Sequence, residues 1–352
     1  MYLRPHIIEL PKKVIVGSGV ISKIPDVLKE LNIKGKVLIV TGPNVYNIVG
    51  KDVEYQIQDH GYDVQVVIVR DSTINTLRHV REVAKEVKPN IVIGVGGGKS
   101  IDMAKYVAYE IGKLFISVPT SASHDGIASP FASIRGLGTI TSVKARTPAV
   151  IIADTAVIAK APRRLLLAGG GDLIAKLTAV LDWRLAHRLR GEYYGDYAAS
   201  LALLSAKHVM TFADIIAKGG EGAIRIVVEG LISSSVAMCI AGSTRPASGS
   251  EHLFSHALDV VANYPALHGE QVALGTIMMS YLHGKNWRRV KRVMRKVGLP
   301  VTAKELGIPD IKIIEALTKA HKIRPERYTI LGDRGLTWEA AEKLAKVTGV
   351  ID

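Results

Sequence analysis

Short runs of β-branched and other apolar residues alternate with longer stretches of helical spacing over roughly the first 155 residues. The apolar runs cover residues 36–42, 64–69, 91–97 and 114–120, and the helical stretches cover residues 44–60, 73–87 and 100–111. Continuous apolar runs are typical of strands buried on both faces, as in a parallel sheet covered by helices. The alternation therefore predicts βαβ crossovers and an N-terminal α/β domain, doubly wound and Rossmann-like, with a mostly parallel sheet.

One segment of this first part has a different pattern. In residues 131–143, apolar and polar residues alternate instead of forming a continuous apolar run, and Gly136 and Gly138 lie near the centre of the segment. Alternation around a glycine-containing centre predicts a β-hairpin.

The pattern changes after Asp154. From Pro162 onward the chain consists of long Ala- and Leu-rich stretches interrupted by glycines, without strand-like runs comparable to the earlier ones. We therefore expect an all-α C-terminal domain, and we place the two domains at residues 1–158 and 159–352. Because no low-complexity linker and no internal repeat is present, the two domains are expected to pack closely around a cleft.

The composition excludes several classes of protein. Apolar residues make up 48% and charged residues 22% of the 352 residues, as in an ordinary soluble globular protein. Cys239 is the only cysteine, which excludes a disulfide within the chain and a cysteine-ligated zinc site. The N-terminus lacks the apolar segment of a signal peptide and no run approaches about 18 apolar residues, so a cytoplasmic location is expected.

The charge is strongly basic. Lys and Arg number 46 against 32 Asp and Glu, a formal net charge of +14, which attracts nucleic acid, a membrane surface or phosphorylated small molecules without distinguishing them. Residues 285–296 contain seven basic and no acidic residues, with Trp287, Val290 and Met294 on one helix face. This pattern predicts a basic amphipathic helix whose polar face either binds nucleic acid or anionic lipid or is simply solvated.

A glycine-rich loop joins the third apolar run to the helical stretch that follows it. In Gly96-Gly97-Gly98-Lys99-Ser100, backbone N–H groups at a helix N-terminus could approach a phosphate, with Ser100 as the N-cap. The loop fits neither a Walker A motif nor the dinucleotide pattern G-x-G-x-x-G. It is therefore either a phosphate cradle of another type or a tight turn without a ligand.

Three histidines and one aspartate are candidate metal ligands. His252 and His256 are four residues apart and share a helix face, His268 opens the next apolar helix, and Asp172 follows three glycines at the start of another helix. Two histidines and a carboxylate form the ligand set of a catalytic zinc site. Spacing alone favours His252 with His256 as the chelating pair, and a chance proximity in sequence without a metal stays open.

Asp125 lies in the segment Ser-His-Asp-Gly that follows the fourth apolar run. The carboxyl ends of strands are where α/β sheets bind ligands, so Asp125 could contact a hydroxylated substrate. The alternative is a turn-forming Asp-Gly pair.

Taken together, these segments resemble the iron-type polyol dehydrogenase superfamily, which includes glycerol dehydrogenase and dehydroquinate synthase, and within it the archaeal glycerol-1-phosphate dehydrogenase branch. The resemblance runs in order through residues 94–108, 119–134, 169–183, 243–259 and 267–275. The GGGK and HGE elements are shared with glycerol dehydrogenases, whereas SHDGIASP at residues 123–130 is similar to the glycerol-1-phosphate branch.

The resemblance implies a nucleotide cofactor, a metal ion and a substrate site. NAD or NADP would be bound by Gly97, Gly98, Lys99, Ser100, Ile101, Asp102, Thr120, Ser121, Ala122, Ser123 and Ser129, with Asn44 as a weaker candidate at the adenosine end. Zn²⁺ would be bound by Asp172, His252 and His268, with His256 facing the substrate instead of the metal. Asp125 would contact the polar end of the substrate. Asp125 and His256 are thus the candidate catalytic residues, and together with Asp172 the candidate substrate-binding ones.

The implied activity is NAD(P)H-dependent reduction of dihydroxyacetone phosphate to sn-glycerol 1-phosphate for archaeal membrane phospholipid biosynthesis, with Zn²⁺ as Lewis acid on the carbonyl. The alternatives are a glycerol or other polyol dehydrogenase and, more remotely, a dehydroquinate-synthase-like lyase. The expected partner is a small phosphorylated substrate, in a homo-oligomer that contacts no nucleic acid and makes no integral membrane contact.

Overall fold

The computed structural model describes residues 6–136 and 142–352, which form two compact units. The first unit lies within Met1–Ser121, Gly126–Ala161 and Met238–Ser243, and the second comprises Ala122–Asp125, Pro162–Ala237 and Thr244–Asp352. Two short segments thus belong to a different unit from their chain neighbours. The single boundary between residues 158 and 159 stays a prediction from the linear pattern.

A parallel sheet forms the framework of the first unit. The strands of the described residues are β1 (Lys13–Gly17), β2 (Lys36–Thr41), β3 (Asp63–Ile68), β4 (Ile91–Gly96), β5 (Leu114–Pro119), β6 (Phe131–Ser133), β7 (Ser142–Lys144) and β8 (Val150–Asp154). Six of them make one sheet in the order β1-β8-β5-β4-β2-β3, and every pairing in it is parallel. The predicted α/β class with a parallel sheet is confirmed.

The centre of this sheet holds the core of the first unit. Ile39, Ile93 and Ile116 from the central strands are fully buried, as their continuous apolar runs indicate. Two strands, β1 and β8, have no counterpart in the sequence prediction. β1 is five residues long, exposed at its start and only half-buried further on, so its signal is weak. β8 is equally short but fully buried, so its apolar residues were a usable signal that the sequence analysis missed.

Helices connect the strands of the first unit. They are α1 (Ile24–Glu30), α2 (Pro43–Val45), α3 (Lys51–Asp59), α4 (Ile74–Val87), α5 (Gly98–Glu110) and α6 (Thr155–Ile158). The prediction of Ser100 as the N-cap of α5 is wrong, because Gly97 holds that position with extended backbone. Gly96 has a φ of +154°, a value that L-residues rarely adopt, and this turn places the N-cap three residues earlier than predicted.

The predicted hairpin is present in the described residues. β6 and β7 pair antiparallel, with Phe131 opposite Lys144 and Ser133 opposite Ser142. Gly138, near the centre of the predicted hairpin, lies outside the described residues.

Residues 162–352 contain no strand, so the predicted all-α character of the second part is confirmed. The helices are α7 (Arg163–Ile174), α8 (Lys176–Arg190), α9 (Asp196–Thr211), α10 (Ala213–Lys218), α11 (Gly220–Ala241), α12 (Ser250–Ala262), α13 (His268–Leu282), α14 (Trp287–Val297), α15 (Asp310–Lys319) and α16 (Trp338–Val347). The glycine triplet Gly169–Gly171 lies inside α7 rather than before a helix. Asp172 is therefore near the end of α7, and the prediction that it starts the next helix is wrong.

Helix α11 is the one helix in the described ranges that is long and apolar enough to cross a membrane by length and composition. Within the protein, 67% of its most apolar window is buried. Ser234 and Ser235 are fully buried in it and donate hydrogen bonds to Asp125, the first to carboxylate Oδ2 at 2.8 Å and the second to the backbone oxygen at 2.6 Å. These contacts are typical of a core helix that also serves a polar site.

The basic helix predicted from residues 285–296 is α14. Val290 and Met294 are buried, so the apolar face packs into the second unit as its spacing indicates. Two of its lysines make structural contacts: Lys291 donates to the backbone oxygens of Thr348 and Gly349 at the end of α16, and Lys296 pairs with a carboxylate of α10. Part of the positive charge thus caps and connects neighbouring helices.

Cys239 is expected to be inert in the folded protein. Its side chain is 5% exposed, and burial raises the pKa of the thiol to about 11. At pH 8 only about one thiol in a thousand would then be ionised, and the thiolate is the reactive form. We expect no reaction with an aromatic disulfide reagent in minutes under native conditions and one equivalent in denaturant. Rapid reaction of the native protein would contradict this.

Candidate metal centre and phosphate-binding loop

Asp172, His252 and His268 lie together in the second unit. One ligand atom from each residue falls within 4.8 Å of the others, and Nε2 of His252 is 3.3 Å from Oδ1 of Asp172. Three elements supply them, since Asp172 is near the end of α7, His252 is in α12 and His268 is the first residue of α13. The ligand types and spacing suit a single divalent cation with coordination positions left for another ligand.

Glycines determine how closely α7 and α13 approach. A Cβ placed on Gly269 would lie 1.9 Å from the backbone oxygen of Ala168, and one on Gly171 would lie 2.4 Å from the backbone oxygen of Gly269. No side chain fits at either point, so the two helices are in backbone contact there. This contact brings His268, the neighbour of Gly269, next to Asp172, the neighbour of Gly171.

Hydrogen bonds orient both imidazoles. Nδ1 of His252 is 2.8 Å from Oε1 of Glu251, and Nδ1 of His268 is 3.2 Å from Oγ of Ser255. Ser255 in turn donates to Oε1 of Gln271 at 2.9 Å. Because Nδ1 of each ring is engaged, Nε2 of each ring is left for a metal, the arrangement that outer hydrogen bonds commonly give to metal-binding histidines.

The electrostatics favour a deprotonated Asp172 and a neutral His268, whereas they favour the charged form of His252 in the absence of a metal. Burial by itself would raise the pKa of Asp172, but the Lys176 charge and the hydrogen bond to His252 hold this pKa well below its ordinary value. Burial, together with the charges of His252 and His256, holds the pKa of His268 well below its ordinary value. Burial opposes a charge on His252, but its contacts with Asp172 and Glu251 raise its pKa.

His256 lies beside the three candidate ligands rather than among them. Its ring stacks on that of His268 with centroids 5.6 Å apart, and its Nδ1 is 3.9 Å from Oδ2 of Asp259, beyond hydrogen-bonding distance. Spacing alone favours His252 and His256 as the chelating pair, but the structure places His252 and His268 next to Asp172. His268 comes from a second helix, α13.

Asp125 belongs to the same network. Its backbone N–H donates to Oδ2 of Asp172 at 2.9 Å, and its carboxylate Oδ2 accepts from Ser234 and lies 2.9 Å from Nζ of Lys176. Lys176 is fully buried and donates to Oδ1 of Asp172 at 2.7 Å. Burial opposes its charge, but Asp125 and Asp172 raise the pKa of Lys176 above its ordinary value.

Lys176 and Glu251 are the site residues that the sequence analysis missed. Lys176 follows Asp172 by four residues, so the helical spacing of this Asp–Lys pair was a usable signal. Glu251 directly precedes His252. Adjacent residues of a helix normally point in different directions, so this position does not predict a contact between the two side chains. Only the packing of α12 shows that its carboxylate reaches the imidazole.

The glycine loop of the first unit lies at the carboxyl end of β4, next to that of β5. Thr120 N–H donates to the backbone oxygen of Gly96 at 3.0 Å, and a Cβ on Gly97 would lie 3.2 Å from Oγ of Ser121. Gly97 and Gly98 are half-buried and Lys99 is exposed. The N-terminus of α5 is thus bordered by small residues and by one cation, a combination suited to a phosphate.

Two of the other predicted cofactor residues have structural roles. The carboxylate of Asp102 accepts from the backbone N–H of Ser133 at 3.1 Å and from the buried Lys105 at 3.3 Å. Oγ of Ser129 donates to the backbone oxygen of Phe131 at 3.1 Å. The Asp102 contact holds β6 beside α5, and the Ser129 contact is local to the start of β6.

The remaining predicted cofactor residues lie in three places. Ser100 and Ile101 are buried in the first turn of α5. Asn44 is exposed beyond the carboxyl end of β2, the strand that pairs with β4. Ala122 and Ser123 belong to the second unit, with Asp125.

Comparison with known proteins supports one family. The family model described as iron-containing alcohol dehydrogenase matches residues 15–162. Glycerol-1-phosphate dehydrogenase [NAD(P)+] of Sulfurisphaera tokodaii is 60% identical over 352 residues, 100% of both chains. The proteins of the same name from Hyperthermus butylicus and Pyrococcus furiosus are 60% and 56% identical, over 98% of this chain and 99% and 100% of their own.

Solved structures show the same fold at low sequence identity. Glycerol dehydrogenase from Schizosaccharomyces pombe has a TM-score of 0.81 at 22% identity, covering 98% of this chain and 91% of its own. A probable glycerol dehydrogenase from Sinorhizobium meliloti has a TM-score of 0.79 at 24% identity, covering 99% of this chain and 100% of its own.

Proposed function

The chain belongs to the glycerol-1-phosphate dehydrogenase family and is thus an NAD(P)-dependent oxidoreductase, and on that premise we propose that it reduces dihydroxyacetone phosphate to sn-glycerol 1-phosphate. The observation that carries this proposal is the Asp172–His252–His268 group beside Asp125 and His256, in a chain 60% identical to a relative of that name. The product would supply the backbone of archaeal membrane phospholipids. A homo-oligomer in the cytoplasm is part of the proposal.

Asp172, His252 and His268 would hold Zn²⁺. The fit rests on the donor set, two imidazoles and a carboxylate in mutual reach, with Glu251 and Ser255 fixing the imidazole rings. When bound, the ion would supply Lewis acidity to the substrate carbonyl. Lys176 balances the charge of Asp172 in the interior, which keeps the carboxylate ionised and in place.

Asp125 would bind and orient the substrate. Its Oδ2 is occupied by Ser234 and Lys176, which leaves Oδ1 to accept a hydrogen bond from a substrate hydroxyl. His256 would hold or deliver the proton that the reduced carbonyl oxygen requires. Burial lowers the pKa of His256 below its ordinary value, which favours a neutral ring that can accept a proton and pass it on.

The first unit would bind the cofactor. Gly97, Gly98 and Lys99 at the N-terminus of α5 would accommodate the pyrophosphate, because backbone N–H groups and the helix dipole favour negative charge there. Thr120 and Ser121 border the loop and would contact the nicotinamide side of the cofactor. The names of the relatives include both NAD and NADP, so both cofactors belong in the test.

The decisive experiment combines metal analysis with turnover. Purified protein is expected to contain about one equivalent of zinc and to oxidise NADH or NADPH when dihydroxyacetone phosphate is added. Glycerol with NAD⁺ serves as the comparison substrate. Faster turnover of glycerol than of sn-glycerol 1-phosphate would identify a polyol dehydrogenase instead. Release of phosphate without net change in NAD(P)H absorbance would identify a lyase, and iron in place of zinc would correct the metal.

A further inference from the structure

Three arginines cluster in the second unit near the candidate substrate site. Arg245 lies in the segment before α12, and Arg324 and Arg327 lie in the segment between α15 and α16. The charges of Arg245 and Arg324, after burial itself, lower the pKa of Arg327 to about 9. Positive charge is therefore concentrated in a place where little water is available to screen it.

Two of these arginines are engaged by the protein. Arg245 forms a two-pronged ion pair with Glu192, through Nε at 2.6 Å and through Nη2, and its Nη1 donates to the backbone oxygen of Tyr328 at 3.0 Å. Arg327 donates at 2.6 Å to the backbone oxygen of Ser248 and, also at 2.6 Å, to the hydroxyl of Thr244. Both guanidinium groups hold the segment before α12 against the segment that follows α15.

Arg324 differs from both. Its side chain is only 9% exposed, yet it makes no hydrogen bond and no ion pair with any other described residue. Glu326 is the acidic residue whose charge reaches it, but Glu326 is itself exposed. A guanidinium is always charged and has five N–H donors, so this largely buried group keeps its donors available to an anionic ligand that enters from solvent.

The position of Arg324 places it near the candidate catalytic residues. It follows the 3₁₀ turn Ala320–Lys322, which packs against α12, the helix that carries His252 and His256. Its positive charge is one of the causes that lower the pKa of His256, so the two groups are close enough to interact electrostatically. A guanidinium at this place could reach one end of a small substrate whose other end lies at the metal.

We propose that Arg324 binds the phosphate group of the substrate, with Arg245 and Arg327 holding the two segments that form this subsite. The inference rests on the proposed function for the identity of the substrate, and it names the residue that selects a phosphorylated ketone over an unphosphorylated one. Planar guanidinium groups match phosphate oxygens in two parallel charge-assisted hydrogen bonds. Arg324 is the one member of the cluster whose donors are not used by the protein in the described residues.

Steady-state kinetics with two substrates test the proposal. Arg324→Gln is expected to lower kcat/KM for dihydroxyacetone phosphate by about 10- to 100-fold, mainly through KM, because it removes charge-assisted hydrogen bonds. Turnover of unphosphorylated dihydroxyacetone should change little. Arg334→Gln is the matched control, since Arg334 is an exposed arginine ten residues further along the same segment. An equal loss for both substrates, or no loss for either, would overturn the proposal.

Binding of inorganic phosphate provides a readout apart from activity. By calorimetry the wild-type protein should bind phosphate in competition with dihydroxyacetone phosphate, and Arg324→Gln should not. Should the wild type fail to reduce dihydroxyacetone phosphate, the proposed function is wrong, while the phosphate titration still decides whether Arg324 forms an anion site. Should Arg324→Gln not fold, Arg324→Lys keeps the charge without the fork and should raise KM for the phosphorylated substrate alone; an unchanged KM would refute the subsite.

Discussion

Replacing His268 by alanine is expected to remove the bound metal and to lower kcat/KM by about 10⁴-fold, since a metal acting on the carbonyl contributes several kcal/mol to the transition state. The substitution leaves only two protein ligands, Asp172 and His252, which are too few to hold the metal ion tightly. The first unit should keep its fold, because His268 lies wholly within the second. Metal content by mass spectrometry and steady-state turnover measure the two effects, and circular dichroism checks the fold.

His79→Ala is the matched control for this substitution. His79 is exposed on α4 of the first unit, far in sequence from the candidate ligands, so metal content and turnover should stay at wild-type values. Loss of metal in both variants would show that the effect is not specific to the site. Full turnover by a chelated, metal-free wild-type protein would show that the reaction needs no Lewis acid.

Replacing Gly269 by alanine is expected to destabilise the protein by about 3 kcal/mol or more, because overpacking against backbone cannot be relieved by a rotamer change. The added Cβ would lie 1.9 Å from the backbone oxygen of Ala168, so α13 must move away from α7. That movement also separates His268 from Asp172. The free energy of unfolding in urea and the bound metal should therefore fall together.

The middle residue of the glycine triplet is the matched control. A Cβ on Gly170 would have its nearest neighbours at 3.7 and 3.8 Å, an ordinary contact with two valine methyl groups. Because alanine is the better helix former, Gly170→Ala should be neutral or stabilise the protein by up to about 1 kcal/mol. Equal destabilisation by Gly170→Ala and Gly269→Ala would contradict the close approach of the two helices.

The positive charge that the sequence shows is divided among several roles in the structure. Lys291 and Lys296 of α14 contact neighbouring helices, and Lys176 is buried between two carboxylates. Arg324 lies near His256 without an acidic partner in ion-pair distance within the described residues. The net charge indicates that anionic partners are preferred. The burial and the contacts of each Lys and Arg side chain determine where such an anion can bind.

The sequence by itself determined the elements that depend on local pattern. Continuous apolar runs predicted β2, β3, β4 and β5 within about a residue at each end, since burial on both faces leaves no polar alternation. The second half predicted helices because its long stretches are rich in Ala and Leu, which favour helices, and lack strand-like runs. The short strand β1 was missed because its five residues are exposed or only half-buried, whereas β8 was missed although it is mostly apolar and fully buried.

Only the tertiary structure decided which histidine joins Asp172 and His252. Sequence spacing reports neighbours on one helix and so favoured His256, whereas His268 reaches the site because α13 meets α7 at Gly171 and Gly269. The same holds for Lys176 and Arg324, whose importance comes from burial and from partners contributed by distant segments. Local pattern fixes secondary structure through short-range burial, but a site is assembled by contacts between helices, and these depend on packing that no linear spacing contains.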